Sequence, residues 1–357
     1  LGVGVGGIYP LAAVSSAEGT QEPEDRRTRV GTAFFFQTLG CVAPYAVAMV
    51  LFVVQPSTPE EWVPQLQFRL LFGLGAVPGL IILVATSKEK PIAADLTVTN
   101  EHSSLLDALR RQPSEVMWTL LGTAGSWFLY DIALYGTNIF TPMLLVKFCL
   151  GGNEEYGVCD QTLRQIAWQC FLVQSMGIPG CLLTIRLIGK LGSKRLNVVG
   201  FLLLSCLFGA MGTVWTVNEH LHTVLFVLFC ALTFCLNFGV NLGTYVLPAT
   251  CFPQDIRSTC HGLSAFGGKL GAVVGTLIFE PVSGMNGGIS ALLFVQAAVC
   301  LCGALVSHSF LKHDWEYRDN NGEMVDVNTS ESASLMCSTQ TSQVSGAAPS
   351  AQLPGVM

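Results

Sequence analysis

Eight apolar runs follow one another along the chain, at approximately 30–54, 68–86, 116–148, 165–189, 196–216, 222–247, 262–282 and 287–311. A helix needs roughly 20 apolar residues to cross the hydrocarbon core of a bilayer. With no water there, backbone N–H and C=O groups must bond within the segment, which leaves helices as the fold for long apolar runs. Composition agrees. Only 12% of the 357 residues are charged, whereas a soluble domain carries about 25%. A water-soluble enzyme is therefore excluded, and the expected class is an all-α polytopic membrane protein. Leu1–Ser16 is also apolar and lacks a charged n-region. It is not a signal peptide, and reads as part of a ninth helix.

Loop charges test this layout. If the spans alternate, one set of segments comprises 17–29, 87–115, 190–195, 248–261 and the tail from Lys312, and it holds 13 of the 18 Lys and Arg residues. The opposite loops, 55–67, 149–164, 217–221 and 283–286, hold only Arg164. The positive-inside rule puts the first set and the C-terminus in the cytosol. The expected organisation is an N-terminal group of helices over 1–86, a central cytosolic loop over 87–115, a six-helix bundle over 116–311, and a disordered cytosolic tail over 312–357, polar and Ser/Thr-rich. The basic residues are too few and scattered for nucleic acid. Most of the 13 cysteines lie inside apolar runs, where they act as small hydrophobes. Cys149 and Cys159 flank an outer loop and are near enough in sequence to pair, although the spacing is no disulfide pattern.

Ionisable groups inside spans are costly and mark function. Asp131 lies mid-span in WFLYDIALYGTN and Lys269 in HGLSAFGGKLGAVVG. Glu280, near a span end and followed by Pro281, reads as an interfacial acid. Trp127, Asp131, Tyr135 and Asn138 recur at i, i+4, i+8 and i+11, one narrow helical stripe. An indole N–H, a carboxyl, a phenol and an amide on one stripe make a polar lining. Asn237, Asn241 and Thr244 form a second stripe, for which packing glue and function are equal readings. Gln37 is a lone amide in AFFFQTLG, a type more often structural, and Tyr9 sits beside Pro10 at an expected bend. Gly267, Gly271 and Gly275, four apart, fit close approach of two helices. GVGVGG at 2–7 follows no strand and is no dinucleotide loop. The six histidines fall in loops or near span ends, and no catalytic triad, paired carboxylates or metal cluster can be assembled from the sequence. No enzyme activity, cofactor or metal is expected.

Several stretches resemble the phosphate:proton symporters of the major facilitator superfamily, the plant and fungal type. GVGVGGIYPLA resembles that family's fourth helix, FFFQTLG the fifth, and WFLYDIALYGTNIF the seventh. LTFCLNFGVNLGTYVLPATCFPQDIRSTCHGLSAFGGKLGAVVG resembles the tenth and eleventh with their connecting loop. The resemblance runs from Leu1 to about Phe310 and implies the facilitator fold, with about nine of twelve helices present and the chain N-terminally incomplete. It implies that Tyr9, Gln37, Trp127, Asp131, Tyr135, Asn237 and Lys269 hold phosphate, and it thereby promotes Gln37 and Asn237. There are departures. Ile8 stands where the family has an Asp used in proton handling, Gly189 where the superfamily turn carries an acid, and Thr250 where the family has Glu. The sugar-carrier signatures are absent.

The resemblance implies a plasma-membrane carrier of inorganic phosphate and protons, working by alternating access with the lipid bilayer as its surroundings. Lys269 supplies the cation, and Trp127, Tyr9, Tyr135, Gln37 and Asn237 supply donors. Asp131 repels phosphate when ionised and donates to it once protonated, so it is the expected proton-coupling residue. Two alternatives stay open: a facilitator for another organic anion or a sugar, and a truncated relative that does not transport. The sequence gives no oligomeric state.

Overall fold

The computed structural model describes residues 2–18, 23–54, 62–87, 112–155, 158–311, 316–318 and 324–326. Among these the protein is helical apart from two short hairpins. In chain order the helices are α1 (Gly2–Glu18), α2 (Pro23–Val54), α3 (Trp62–Gly75), α4 (Val77–Thr86), α5 (Ser114–Asn138), α6 (Thr141–Phe148), α7 (Leu163–Ser175), α8 (Gly177–Leu191), α9 (Ser193–Val217), α10 (His222–Asn237), α11 (Val240–Thr250), α12 (Gln254–Ser283) and α13 (Gly288–Phe310).

Several of these are halves of one span. The pairs α3/α4, α7/α8 and α10/α11 each run on as one membrane-length helix over Trp62–Ala85, Leu163–Leu191 and His222–Thr250. Seven helices are long and apolar enough to cross a membrane, eight if α5 and α6 form one bent span, and Ile8–Ala17 adds a shorter apolar helix. This is the expected pattern of eight spans after a first apolar helix. One detail differs. The long run at 116–148 is expected to tilt or project, but it breaks by 54° between α5 and α6. Pro142 in the first turn of α6 explains the break. It has no N–H for the ladder, and its ring clashes with the carbonyl of the residue four earlier, Asn138, where α5 ends.

The exteriors of the spans carry exposed large side chains such as Leu80, Ile81, Ile82, Leu202 and Leu301, the surface that hydrocarbon solvates. The interior is close-packed. A core of Tyr130, Phe148, Phe201, Phe208, Phe229 and Met211 ties α5, α6, α9 and α10 together. A second joins α1 and α2 to α5, α8, α11 and α12 through Ala13, Phe34, Trp127, Ile188, Leu242, Tyr245 and Ala265.

The glycine stripe on α12 sets the pairing that matters most. A Cβ at Gly267 would stand 3.0 Å from the Ala124 carbonyl oxygen, and one at Gly275 would stand 2.5 Å from that of Ile132. Gly271 faces the Phe128 carbonyl in the same way. The bare faces let α12 lie against the α5 backbone, as the four-residue spacing predicts. Another constraint acts at Gly239, between α10 and α11, where φ is +75°. Its N–H, freed from the helix ladder, donates to Thr184 Oγ1 at 2.8 Å. The left-handed turn there favours glycine.

Outside the spans, strands β1 (Asn153–Glu155) and β2 (Val158–Asp160) form an antiparallel hairpin. A disulfide joins Cys149 to Cys159 beside it. The tail departs from its expected disorder in one place, where β3 (Glu316–Arg318) pairs with β4 (Met324–Asp326). The rest of the tail and nearly all of the central loop lie outside the described residues.

Candidate substrate site

Close packing of α12 on α5 places Lys269 against the α5 polar stripe. Lys269 Nζ donates to Tyr135 Oη at 2.9 Å and lies 3.5 Å from Asp131 Oδ2. The same ammonium stands 4.7 Å from the centroid of the Tyr135 ring, a cation–π distance. The pair is asymmetric: the Asp131 side chain is 3% exposed and that of Lys269 is 55% exposed. The carboxylate is thus sealed in the wall, with the ammonium presented in front of it. Trp127 stands one helical turn before Asp131 on the same stripe of α5. Its indole packs onto Gly268, where a Cβ would stand 2.5 Å from the ring.

The other side of the site comes from α1 and α2. The Tyr9 hydroxyl faces Gln37 Oε1 at 3.5 Å, a long contact and a weak bond. Tyr9, Gln37, Tyr135 and Lys269 line one cavity of about 600 Å³ together with Gly6, Pro10, Gly262, Ala265 and Phe266. That volume lies in the range of small-molecule sites. Its walls combine one cation, two phenols and an amide, the donor set that an oxyanion needs. Among the described residues no cluster of His, Cys, Asp and Glu has the makings of a metal site.

Six of the seven expected residues meet here: Tyr9, Gln37, Tyr135 and Lys269 on the cavity, with Asp131 behind Lys269 and Trp127 against Tyr9. Asn237 does not join them. Its Nδ2 donates to the Thr233 carbonyl at 3.0 Å, and its Oδ1 accepts from Asn241 Nδ2 at 3.0 Å. Thr244 likewise bonds back to its own helix. The second polar stripe is internally satisfied and packs against Gly177.

Residues 1–276 match the Major Facilitator Superfamily. The chain belongs to that superfamily. Similar chains include inorganic phosphate transporter PT2 of Toxoplasma gondii, 32% identical over 86% of this chain and 52% of that one. Another is probable inorganic phosphate transporter 1-8 of Arabidopsis thaliana, 26% identical over 91% of this chain and 73% of that one. The chain thus spans about half the length of the Toxoplasma relative. Among solved structures, the proton:xylose symporter XylE bound to 6-bromo-6-deoxy-D-glucose superposes with a TM-score of 0.67. It is 14% identical, over 90% of this chain and 70% of that one, and so speaks for the fold alone. A facilitator's substrate path runs between two groups of helices, and here the cavity is lined from α1 and α2 on one side and from α5 and α12 on the other.

Two residues at this site escape a reading of the sequence. Tyr245 and His261 are both buried. Tyr9 meets Tyr245 edge-on at 4.8 Å between ring centroids and His261 at 6.4 Å. Trp127 lies 5.8 Å from His261. His261, expected in a loop or near a span end, lies in the first turns of α12, near the start of the Ile256–Ser283 span, and is 0% exposed. Tyr245 has a legible signal, since it continues the Asn237–Asn241 stripe by one further helical turn. His261 has none beyond its place in RSTCHG.

Proposed function

We propose that this protein carries inorganic phosphate across a membrane together with protons, by alternating access of the helices over 1–86 and those over 116–311. The observation that carries the reading is the single ammonium of Lys269, held between Tyr135 Oη and the buried Asp131 carboxylate at the edge of the cavity. Phosphate and ionised Asp131 compete for the same cation. Protonation of Asp131 releases Lys269 to the anion and turns the carboxyl into a donor. Proton and phosphate then favour each other's binding, and the coupling is reciprocal. Tyr9 and Gln37 approach from the opposite side, so closure of the two groups of helices wraps the anion. The names of the relatives support phosphate as the cargo.

Two independent features support a cytosolic C-terminus. The Lys and Arg residues gather on one side of the alternating spans. The Cys149–Cys159 disulfide lies on the opposite side, and disulfides persist on the oxidising face of a membrane. The plasma membrane is the proposed location.

The direct test is phosphate binding by the purified protein as a function of pH. Affinity is expected to rise as pH falls, and Asp131→Asn is expected to flatten that dependence. An unchanged slope in Asp131→Asn overturns the assignment. Displacement of bound phosphate by arsenate, and not by sugars or carboxylates, separates this reading from a carrier for other cargo.

A further inference from the structure

His261 is buried behind the site, yet nothing in the coupling scheme uses it. Its Nε2 lies 3.2 Å from the Tyr245 carbonyl oxygen. A carbonyl only accepts, so Nε2 carries the hydrogen, and Nδ1 of the neutral ring is an acceptor. That Nδ1 is buried and has no hydrogen-bond partner among the described residues. Buried acceptors are almost always paired, and each exception needs a reason. Two of the rings that pack on His261 carry a donor close to the cavity, Trp127 and Tyr9. The Trp127 indole, its Nε1 included, is packed onto Gly268. Tyr9 is the less committed, since its hydroxyl makes only the 3.5 Å contact with Gln37.

We propose that His261 is a positioning residue for Tyr9: as the two groups of helices close on the anion, its Nδ1 accepts the Tyr9 hydroxyl and fixes that ring against Trp127 and Tyr245. Tyr9 stands on α1, and the three rings around it stand on α5, α11 and α12. The bond therefore forms across the moving interface, in a socket anchored to the α11 backbone by Nε2. The inference rests on the phosphate reading of the cavity.

The experiment is calorimetric titration of the purified protein with inorganic phosphate, using His261→Phe, His261→Gln, Tyr9→Phe and the double variant His261→Phe/Tyr9→Phe. Phe keeps the ring and loses both nitrogens, whereas Gln retains a donor for Tyr245 and an acceptor for Tyr9. His261→Phe is expected to weaken phosphate binding about fivefold or more, and His261→Gln to recover most of the loss. The double variant is expected to be no weaker than the worse single one, because both remove the same bond. His261→Asn, smaller and too short to span both partners, is expected to weaken binding as Phe does, and serves if the Phe variant does not fold. A folded His261→Phe or His261→Asn with wild-type affinity overturns the proposal, as do multiplicative losses or a Gln variant as weak as Phe. A wild-type protein that binds no phosphate overturns the reading of the cavity and this inference with it.

Discussion

Lys269 and Asp131 divide one task by their exposure. The ammonium reaches the cavity while the carboxylate stays sealed behind it, and an ion pair broken from one side leaves a buried charge unpaired. Lys269→Ala is therefore expected to remove phosphate binding and also to lower stability, by less than the ~3–5 kcal/mol of a fully buried pair because the ammonium is 55% exposed. Adding Asp131→Asn to that variant should return most of the stability and none of the binding. Thermal unfolding followed beside phosphate titration separates the two effects, and a Lys269→Ala protein that still binds phosphate contradicts the role given to the ammonium. Trp127, Asp131, Tyr135 and Lys269 are legible in sequence because charge and polarity inside a span stand out against apolar surroundings. Gln37 is not legible alone, since a single amide in a span has many structural uses; its approach to Tyr9 depends on how α1 meets α2. Asn237 shows the reverse. Its amide reads as a possible ligand, but bonds to Thr233 and Asn241 on neighbouring turns absorb it.

Between helices, small residues decide what can meet. The α12 glycines put that helix on the α5 backbone, and this contact delivers Lys269 to Asp131. Gly271→Leu is expected to part the two helices and abolish phosphate binding, with loss of thermal stability at the upper end of the ~1–3 kcal/mol typical of overpacking. A stable, phosphate-binding Gly271→Leu protein contradicts that packing role. The departure at Gly189 has a similar origin. A Cβ there would stand 2.7 Å from Glu24 Cγ, and the Gly189 carbonyl accepts from Arg27 Nη2 at 2.8 Å. The Glu24 side chain fills the space beside Gly189. Gly189→Asp is expected to destabilise by steric overlap and like charge, and Glu24→Gly in the same protein to relieve it; equal stability of the single and double variants contradicts that crowding. The span count and the α12 stripe are legible because hydropathy and spacing are local signals. The break between α5 and α6 is less so, since Pro142 permits either a kink or a full interruption, and packing chooses.

At the scale of the molecule, two groups of helices face each other across a cavity that each lines with different chemistry. The cation and the buried acid come from α5 and α12, and Tyr9 with Gln37 from α1 and α2. The disulfide at Cys149–Cys159 lies outside this machinery. Its replacement by two serines is expected to leave phosphate affinity within about twofold, distant sites being nearly additive, and a larger loss on calorimetric titration contradicts that separation. An all-α membrane protein is legible from the spans, and the facilitator fold from the resemblance of particular stretches, whereas the pairing of Tyr9 with His261 and Tyr245 arises only when α1 docks on α11 and α12. The central claim is that proton and phosphate move together through this site. Radiolabelled phosphate uptake into proteoliposomes bearing the wild-type protein, with and without an inward proton gradient, measures it most directly. Uptake is expected to rise with the gradient, to collapse with a protonophore, and to lose its gradient dependence in Asp131→Asn; uptake indifferent to the gradient, or equally gradient-driven in Asp131→Asn, would contradict coupled transport.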